Sequence, residues 1–194
     1  DFDWNIDHSH YGTITGAIGN ATDGSTIEVA SGNYSEALLI NGFNGLTING
    51  SPGTIITGGA NMTTSFGARD CVVLVNNSFD VFLDQLDIEG KNLGSMQGGT
   101  NEKSYAVIYD ASSGRITDSI VSPNNIGDQK ATGIALWLDS NLTVEDSTIK
   151  NYGRVGIFGY SWAINCSAKI YDSIIEGPAY PGTNDSLLSY GIET

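Results

Sequence analysis

The sequence is built from a repeating unit that is too short to make a hydrophobic core alone. Four segments, beginning at Val73, Val107, Leu136 and Phe158, each hold a short apolar strand, a polar turn, a second strand and a further apolar pair. Strands this short and this dense fit either a sandwich or a solenoid. The self-similarity favours a solenoid in which every strand pairs with its equivalent one turn later. We therefore predict a parallel β-helix with Val, Ile and Leu stacked inside it.

An aspartate recurs near the middle of each unit and is followed by Ser or Gln. The four positions that align are Asp84, Asp118, Asp146 and Asp172. A catalyst needs its acid once, so recurrence indicates a turn in which the carboxylate accepts a hydrogen bond from the backbone two residues on. The same role is predicted at the other turn of the unit for Asn76, Asp110 and Asp139.

A short helix is predicted before the first strand, over Thr13 to Ala21. Its apolar residues Ile14, Ala17, Ile18 and Ala21 recur at the spacing of one helical face. This helix could plug the open end of an apolar bore.

The order of elements after this helix resembles a known fold family. Asp23-Gly24, the strand Thr26 to Val29, Gly32 and Tyr34 are similar to the entry of the pectin-lyase-like right-handed β-helix superfamily. The later repeats resemble those of archaeal and bacterial surface proteins. The resemblance implies an all-β, right-handed single-stranded parallel β-helix with a short N-terminal capping helix. We expect one domain, 1–194, with the N-terminal segment and cap at 1–24 and the coils at 25–194.

Composition restricts the partners of the chain. It has 22 acidic and 8 basic residues and a net charge of −14, which disfavours binding to nucleic acid. It contains no apolar run of about 18 residues that could span a membrane. Eight Asn-x-Ser/Thr sequons, where about three are expected by chance, indicate an extracellular or cell-surface glycoprotein. These sequons are at Asn20, Asn33, Asn49, Asn61, Asn76, Asn141, Asn165 and Asn184.

The superfamily includes lyases, hydrolases, esterases, adhesins and surface-layer proteins, so the fold alone does not give the function. The lyase branch uses a basic residue beside calcium-binding carboxylates, and the weak match here is Asp87 and Glu89 near Lys91, with Leu86 and Ile88 pointing inward. The D-D, G-H-G and R-x-K motifs of the hydrolase branch are not in the sequence. The two histidines, His8 and His10, precede the helix and are interpreted as part of a free N-terminal segment. No metal site or cofactor is predicted, although the resemblance allows Ca²⁺.

Outward aromatic residues form a second candidate site. If Ile134, Leu136 and Leu138 face the bore, alternation sends Trp137 outward, and the same rule sends Phe158 and Tyr160 outward. Such a stripe can stack sugar rings, be covered by a corner loop or bury against another subunit, and the last two together are favoured. The two cysteines, Cys71 and Cys166, are expected to lie roughly 10–15 Å apart along the axis, too far for a disulfide.

The leading interpretation is a structural or adhesive cell-surface glycoprotein without hydrolase or lyase activity of its own. The alternative is a carbohydrate-active enzyme or sugar-binding module that acts on an acidic polysaccharide. Expected partners are further copies of the chain, other surface proteins, or polysaccharide. The segment "SLLSYGIET" at the C-terminal end reads like the start of another coil, because "SYGI" is similar to "SYAVI" at Ser104 and "TGIAL" at Thr132. Self-association through exposed strand edges is predicted from this similarity.

Overall fold

The computed structural model describes residues 10–90, 104–123, 131–159, 165–177 and 190–193. One helix, α1 (Ile14–Ile18), precedes the strands. The strands form six coils and are, in chain order, β1 Thr26–Val29, β2 Gly32–Tyr34, β3 Leu38–Asn41, β4 Thr47–Gly50, β5 Thr54–Ile56, β6 Ala60–Thr64, β7 Gly67–Asn76, β8 Val81–Asp84, β9 Asp87–Glu89, β10 Ser104–Asp110, β11 Ser113–Thr117, β12 Ile120–Ser122, β13 Thr132–Trp137, β14 Asn141–Glu145, β15 Thr148–Lys150, β16 Val155–Gly159, β17 Ser167–Tyr171, β18 Ile174–Glu176 and β19 Tyr190–Glu193.

The strands form three parallel sheets, to which each coil contributes one strand. Sheet 1 is β1-β4-β8-β11-β14-β17, sheet 2 is β2-β5-β9-β12-β15-β18, and sheet 3 is β3-β7-β10-β13-β16-β19. The additional strand β6 pairs antiparallel with the first half of β7 and makes a hairpin with it. The pairing of β19 with β16 confirms that the "SYGI" segment forms a rung like the earlier ones. The structure therefore confirms the predicted parallel β-helix.

The apolar bore is made of ladders in which equivalent residues of successive coils stack. In sheet 3, Leu38 pairs with Val73, Val73 with Val107, Val107 with Ile134, and Ile134 with Ile157. All five side chains are buried. Burying an aliphatic side chain of this size stabilises a fold by about 1.5–3 kcal/mol, so ladders of this kind are the main source of its stability. The predicted equivalence of Ile134 and Ile157 is confirmed.

Serine side chains bind adjacent coils together at the corner between sheets 3 and 1. The backbone N–H of Ser78 donates to Ser112 Oγ at 3.1 Å, and the N–H of Ser112 donates to Ser140 Oγ at 3.0 Å. Each hydroxyl also donates to carbonyl oxygens, as Ser112 Oγ does to Val75 (3.1 Å) and Asp110 (2.7 Å). The tight turn thus keeps its buried polar groups paired, as a buried backbone requires.

A second serine column lies at the corner between sheets 1 and 2. The N–H groups of Leu86, Ser119 and Ser147 donate to the hydroxyls of Ser119, Ser147 and Ser173 respectively, each at 3.1 Å. Each hydroxyl donates to the carbonyl two residues back, as Ser119 Oγ does to Thr117 at 2.6 Å. The hydrogen bonds of this turn therefore come from the serine and not, as predicted, from the carboxylate of the preceding residue.

The aspartates before these serines supply the backbone geometry of the turn. The residue at this place has a positive φ of 52° at Gln85, 47° at Asp118, 47° at Asp146 and 45° at Asp172. Asp tolerates the left-handed region better than most residues. Asp84 was assigned to this place wrongly, because Asp84 pairs with Thr117 and the turn residue of its coil is Gln85. The sequence alignment was displaced there by one residue.

At the corner between sheets 3 and 1, two coils have their left-handed residue one position after the residue that was predicted. The positive φ values are 45° at Asn77 and 49° at Ala111, and in the next coil 45° at Leu138 and 59° at Asp139. Asp139 therefore lies in the turn itself, whereas Asn76 and Asp110 are the last residues of the preceding strands. Leu138 was expected to face the bore, but β13 ends at Trp137 and the left-handed turn leaves Leu138 half-buried and outside the apolar core.

Cys166 takes the place of a serine in the first corner column. Its Sγ donates to the carbonyl of Leu136 at 3.4 Å, as Ser140 Oγ does to the carbonyl of Tyr109 at 3.0 Å, and Leu136 and Tyr109 pair in the sheet. Cys166 and Cys71 are both free, which confirms that they do not form a disulfide. Burial raises the pKa of the Cys71 thiol far above its usual range, so this thiol is unreactive.

Helix α1 closes the first coil and is shorter than predicted. Thr13 is its N-cap, with Oγ1 accepting from the N–H of Gly16 at 3.0 Å. The carboxylate of Glu36 accepts from the N–H groups of Ile14 (3.1 Å) and Thr15 (2.8 Å), which a helix of any length leaves without an internal partner. Ile14 and Ile18 belong to the same apolar core as the bore, with Ala21 packed against it, so the capping role is confirmed.

The ring of Tyr109 lies inside the bore. A side chain at Gly114 would place its Cβ 3.1 Å from Tyr109 Cε1 and 2.0 Å from the carbonyl oxygen of Val81, so glycine is required beside this ring. The hydroxyl of Tyr109 is fully buried and has no hydrogen-bond partner among the residues that the structure describes. Burial raises the pKa of this phenol above its usual range.

We expect the Ser112→Ala substitution to reduce the free energy of unfolding by about 1–3 kcal/mol, because it leaves the buried N–H of Ser78 without an acceptor. Chemical denaturation monitored by far-UV circular dichroism measures the loss. Ser51→Ala, at an exposed serine, is the control and should change stability by less than about 0.5 kcal/mol. Equal effects of the two substitutions would show that the column does not stabilise the fold.

Tyr109→Phe is expected to raise the free energy of unfolding by about 1 kcal/mol, because it removes a buried hydroxyl that is not hydrogen-bonded. The matched control is Tyr34→Phe, since the Tyr34 hydroxyl donates to the carbonyl of Ala30 at 2.9 Å, and this variant should be less stable than the parent. A loss of stability in Tyr109→Phe would contradict the prediction and indicate that its hydroxyl has a partner, such as bound water, in solution.

Candidate functional site

The outer face of sheet 3 carries two of the predicted aromatic residues, Trp137 and Phe158, and both are covered. Trp137 pairs with Asp110 and points outward, as alternation predicts, but only 2% of its surface is exposed. Phe158 is 8% exposed, and Tyr160 lies outside the described residues. An open sugar platform requires an accessible ring face. Trp137 and Phe158 do not provide one.

The β6–β7 hairpin is the element that covers this face. Phe66 meets Trp137 edge-on at a centroid distance of 5.5 Å, and Tyr105 meets the same ring at 5.3 Å. The backbone N–H of Ser65, in the hairpin turn, donates to Asp110 Oδ2 at 2.7 Å. Asp110 is fully buried. Its structural role is therefore to anchor the hairpin.

Two arginines approach the same covered cluster. The Arg69 guanidinium lies 6.0 Å from the Trp137 ring centroid. Burial raises the pKa of Tyr105 to about 12, against the opposing effect of the charges on Arg69 and Arg154. Tyr105 is thus a neutral phenol near neutral pH and is 2% exposed, which suits packing better than proton transfer.

The acidic pair on sheet 2 has the predicted orientation. Leu86 and Ile88 are buried in the bore, so Asp87 and Glu89 project from the outer face, where both are half-buried. Lys91, the proposed basic partner, lies outside the described residues, as does His8; His10 is exposed. Within the described ranges, no group of three or more His, Cys, Asp or Glu side chains could hold a metal ion.

Sheet 1 presents an open groove of about 410 Å³ on its outer face. Its central column is formed by outward residues in register on four consecutive coils: Phe82 pairs with Arg115, Arg115 with Thr143, and Thr143 with Lys169. A second column of Ser113, Asn141 and Ser167 runs beside it, and Ser167 Oγ donates to Asn141 Oδ1 at 2.6 Å. The groove therefore follows the axis of the solenoid and offers an aromatic ring, two cations, several hydroxyl and amide groups and one carboxylate, that of Asp80, in the coil of Phe82.

The charges in the groove are exposed and weakly paired. The Arg115 guanidinium lies 5.7 Å from the Phe82 ring centroid and 3.8 Å from the Glu145 carboxylate. Side-chain exposures of 51% for Arg115 and 39% for Glu145 mean that this ion pair contributes little free energy. Arg115 can therefore exchange Glu145 for an anionic ligand at low cost. Lys169 is also exposed.

Sequence reasoning missed this groove. Phe82, Arg115 and Lys169 belong to three different repeats and to no motif. One signal was available, because each occupies an outward position between inward residues of its own strand, as Arg115 does before Ile116. Comparing the outward positions of the aligned repeats, and looking there for basic and aromatic residues, would have placed these three side chains in one column.

Three solved structures with this fold are all pectin methylesterases. The enzyme from Yersinia enterocolitica is 17% identical to this chain, with a TM-score of 0.57. The match covers 86% of this chain and 54% of the esterase. That of Aspergillus niger is 16% identical (TM-score 0.53, 96% and 64% covered), and that of Erwinia chrysanthemi is 15% identical (TM-score 0.53, 97% and 68% covered). No family model matches the sequence, and no curated protein is significantly similar to it.

These likenesses and the three parallel sheets show that the chain has the parallel β-helix fold that these esterases also have. The chain spans 54% and 64% of the first two esterases. At 15–17% identity the likeness concerns the fold and not the activity. None of the helices in the described part of the chain is long and apolar enough to cross a membrane.

The sequons differ in the accessibility of their amide nitrogens. Asn49 and Asn76 are half-buried, and their Nδ2 atoms donate to Glu28 (2.7 Å) and Asn41 (2.9 Å). Three exposed sequons also donate from Nδ2: Asn20 to the carbonyl of Gly16, Asn61 to Asp70 and Asn141 to the carbonyl of Asp139. Asn33 and Asn165 are exposed, and Asn184 lies outside the described residues.

We expect N-glycans on native protein at Asn33, and none at Asn49 or Asn76, because a glycan on a half-buried amide would disturb the outer face of a sheet. Glycopeptide mapping of protein from its natural source measures occupancy at each site. Asn33→Gln should lower the intact mass by one glycan, whereas Asn49→Gln should leave the glycan mass unchanged. Native protein with the mass of the bare polypeptide would contradict the prediction.

Proposed function

We propose that this chain binds an acidic polysaccharide outside the cell, along the groove on the outer face of sheet 1. The observation that carries the proposal is the column of Phe82, Arg115 and Lys169 on an open face of the solenoid. Exposed aromatic rings stack on the apolar faces of sugars. Exposed Arg and Lys bind carboxylates.

The similar solved structures support a carbohydrate-related function more than the structural or adhesive one. All three are pectin methylesterases, as their names state. A surface-layer or adhesive role has no corresponding support, and self-association through strand edges stays a prediction. The sequons and the acidic composition support an extracellular location.

The groove is suited to binding a polysaccharide, and whether the protein also cleaves the bound polymer is a separate question. Its column of hydroxyl and amide groups, Ser113, Asn141 and Ser167, can hydrogen-bond sugar hydroxyls. The absence of hydrolase or lyase activity stays a prediction. Assays for reducing ends, unsaturated uronates and released methanol on the same preparation distinguish a binding module from an enzyme of either kind.

Polygalacturonate should bind to the protein at low ionic strength, and neutral galactan should bind much more weakly. Isothermal titration calorimetry measures both affinities. Lys169→Gln and Phe82→Ala should each weaken polygalacturonate binding by about three- to fivefold, the size expected for an exposed contact. Lys150→Gln is the control. It removes the same charge from a different face of the protein, because Lys150 lies on sheet 2, where it pairs with Glu176. Equal loss in Lys150→Gln and Lys169→Gln, or absence of binding by the parent, would overturn the proposal.

A further inference from the structure

The two cations of the central column are separated by one uncharged residue, Thr143. Arg115 and Lys169 each pair with Thr143, on opposite sides of it. Two rung spacings put their Cα atoms about 10 Å apart along the solenoid axis. Because outward side chains in one column leave the sheet in the same direction, both cations face the same line of the groove.

We infer that the groove binds two carboxylates on sugar residues i and i+2 of one chain that lies parallel to the solenoid axis. This inference rests on the proposed function and adds the spacing of the bound charges to it. A pyranose residue in an extended chain is comparable in length to one rung of the solenoid. A chain along the axis therefore places residue i at Arg115, residue i+1 at Thr143 and residue i+2 at Lys169.

The central position matches a residue whose carboxylate points away or is absent. Thr143 carries a hydroxyl and no charge, and Asn141 and Ser167 beside it are uncharged too. In an extended two-fold ribbon, substituents on alternate residues point to the same side, so the carboxylate of residue i+1 faces solvent. An esterified or neutral residue therefore fits at this position as well as a free acid does.

The flanking columns restrict the chain sideways. A third outward column runs along the other side of the central one, two residues further along each strand. In it, Asp84 pairs with Thr117, and Thr117 pairs with Glu145. Thr117 Oγ1 donates to Asp84, so this carboxylate is held in place. Carboxylates along one rim repel an anionic chain that shifts toward them and leave the cationic column as the favourable track.

Trigalacturonates with methyl esters at defined positions test the spacing. The trimer with free carboxylates on both terminal residues and an ester on the middle one should bind about threefold more tightly than the trimer with free carboxylates on two adjacent residues, which has the same charge but reaches only one of the two cations. Titration calorimetry at low salt measures both. Arg115→Gln and Lys169→Gln should each reduce this preference by about threefold, and Arg115→Lys should largely retain it. Lys150→Gln should leave it unchanged.

The outcomes separate the two proposals. Equal affinity for the two esterified trimers, or a preference for the trimer with adjacent free carboxylates, would overturn the spacing while leaving polysaccharide binding intact. Failure of the fully free trimer and of polygalacturonate to bind would overturn the proposed function itself. A preference that persists unchanged in both Gln variants would place the binding site elsewhere on the protein and would also overturn the inference.

Discussion

The hydroxyl-to-backbone hydrogen bond at the corners is the interaction on which the rest of this structure depends. A coil this small must change direction within a residue or two, and the turn buries N–H groups that the sheets cannot pair. Ser112 and Ser119 answer this by accepting from the preceding coil and donating within their own. Since an unpaired buried donor costs about 1–3 kcal/mol, the corners hold successive coils in one register.

A fixed register turns distant residues into neighbours. Arg115 and Lys169 are far apart in the sequence, yet both lie against Thr143, and the corners described on the two sides of sheet 1 are held by hydroxyl or thiol groups in each of these coils. The same register sends Trp137 outward from sheet 3, where the hairpin anchored by Asp110 covers it. Sheet 3 is thus covered by an insertion, whereas the groove on sheet 1 is open among the residues that the structure describes.

The features predicted correctly from the sequence are those that depend on residues close together in the chain. The inward ladder, the cap helix and the orientation of Leu86 and Ile88 follow from alternation and helical spacing. Burial of the outward Trp137 was among the favoured alternatives, but the hairpin that covers it could not be predicted in this way, because it is held by a hydrogen bond between Ser65 and Asp110, from different coils. The displaced alignment of Asp84 has a different cause: this coil has Gln85 and Leu86 where the next coil has Asp118 and Ser119, so matching the aspartates shifts the register by one residue.

The strong net negative charge of the chain does not oppose binding of an anionic polymer in the groove. At physiological ionic strength the Debye length is about 8 Å, so a ligand responds to the charges within roughly one or two rungs of it. Lys169 and Arg115 then dominate the middle of the groove, although Glu145 partly offsets Arg115. Because exposed pairs are individually weak, affinity has to come from several rungs acting together. A solenoid that repeats its outward positions at a constant spacing is suited to a repeating polymer for that reason.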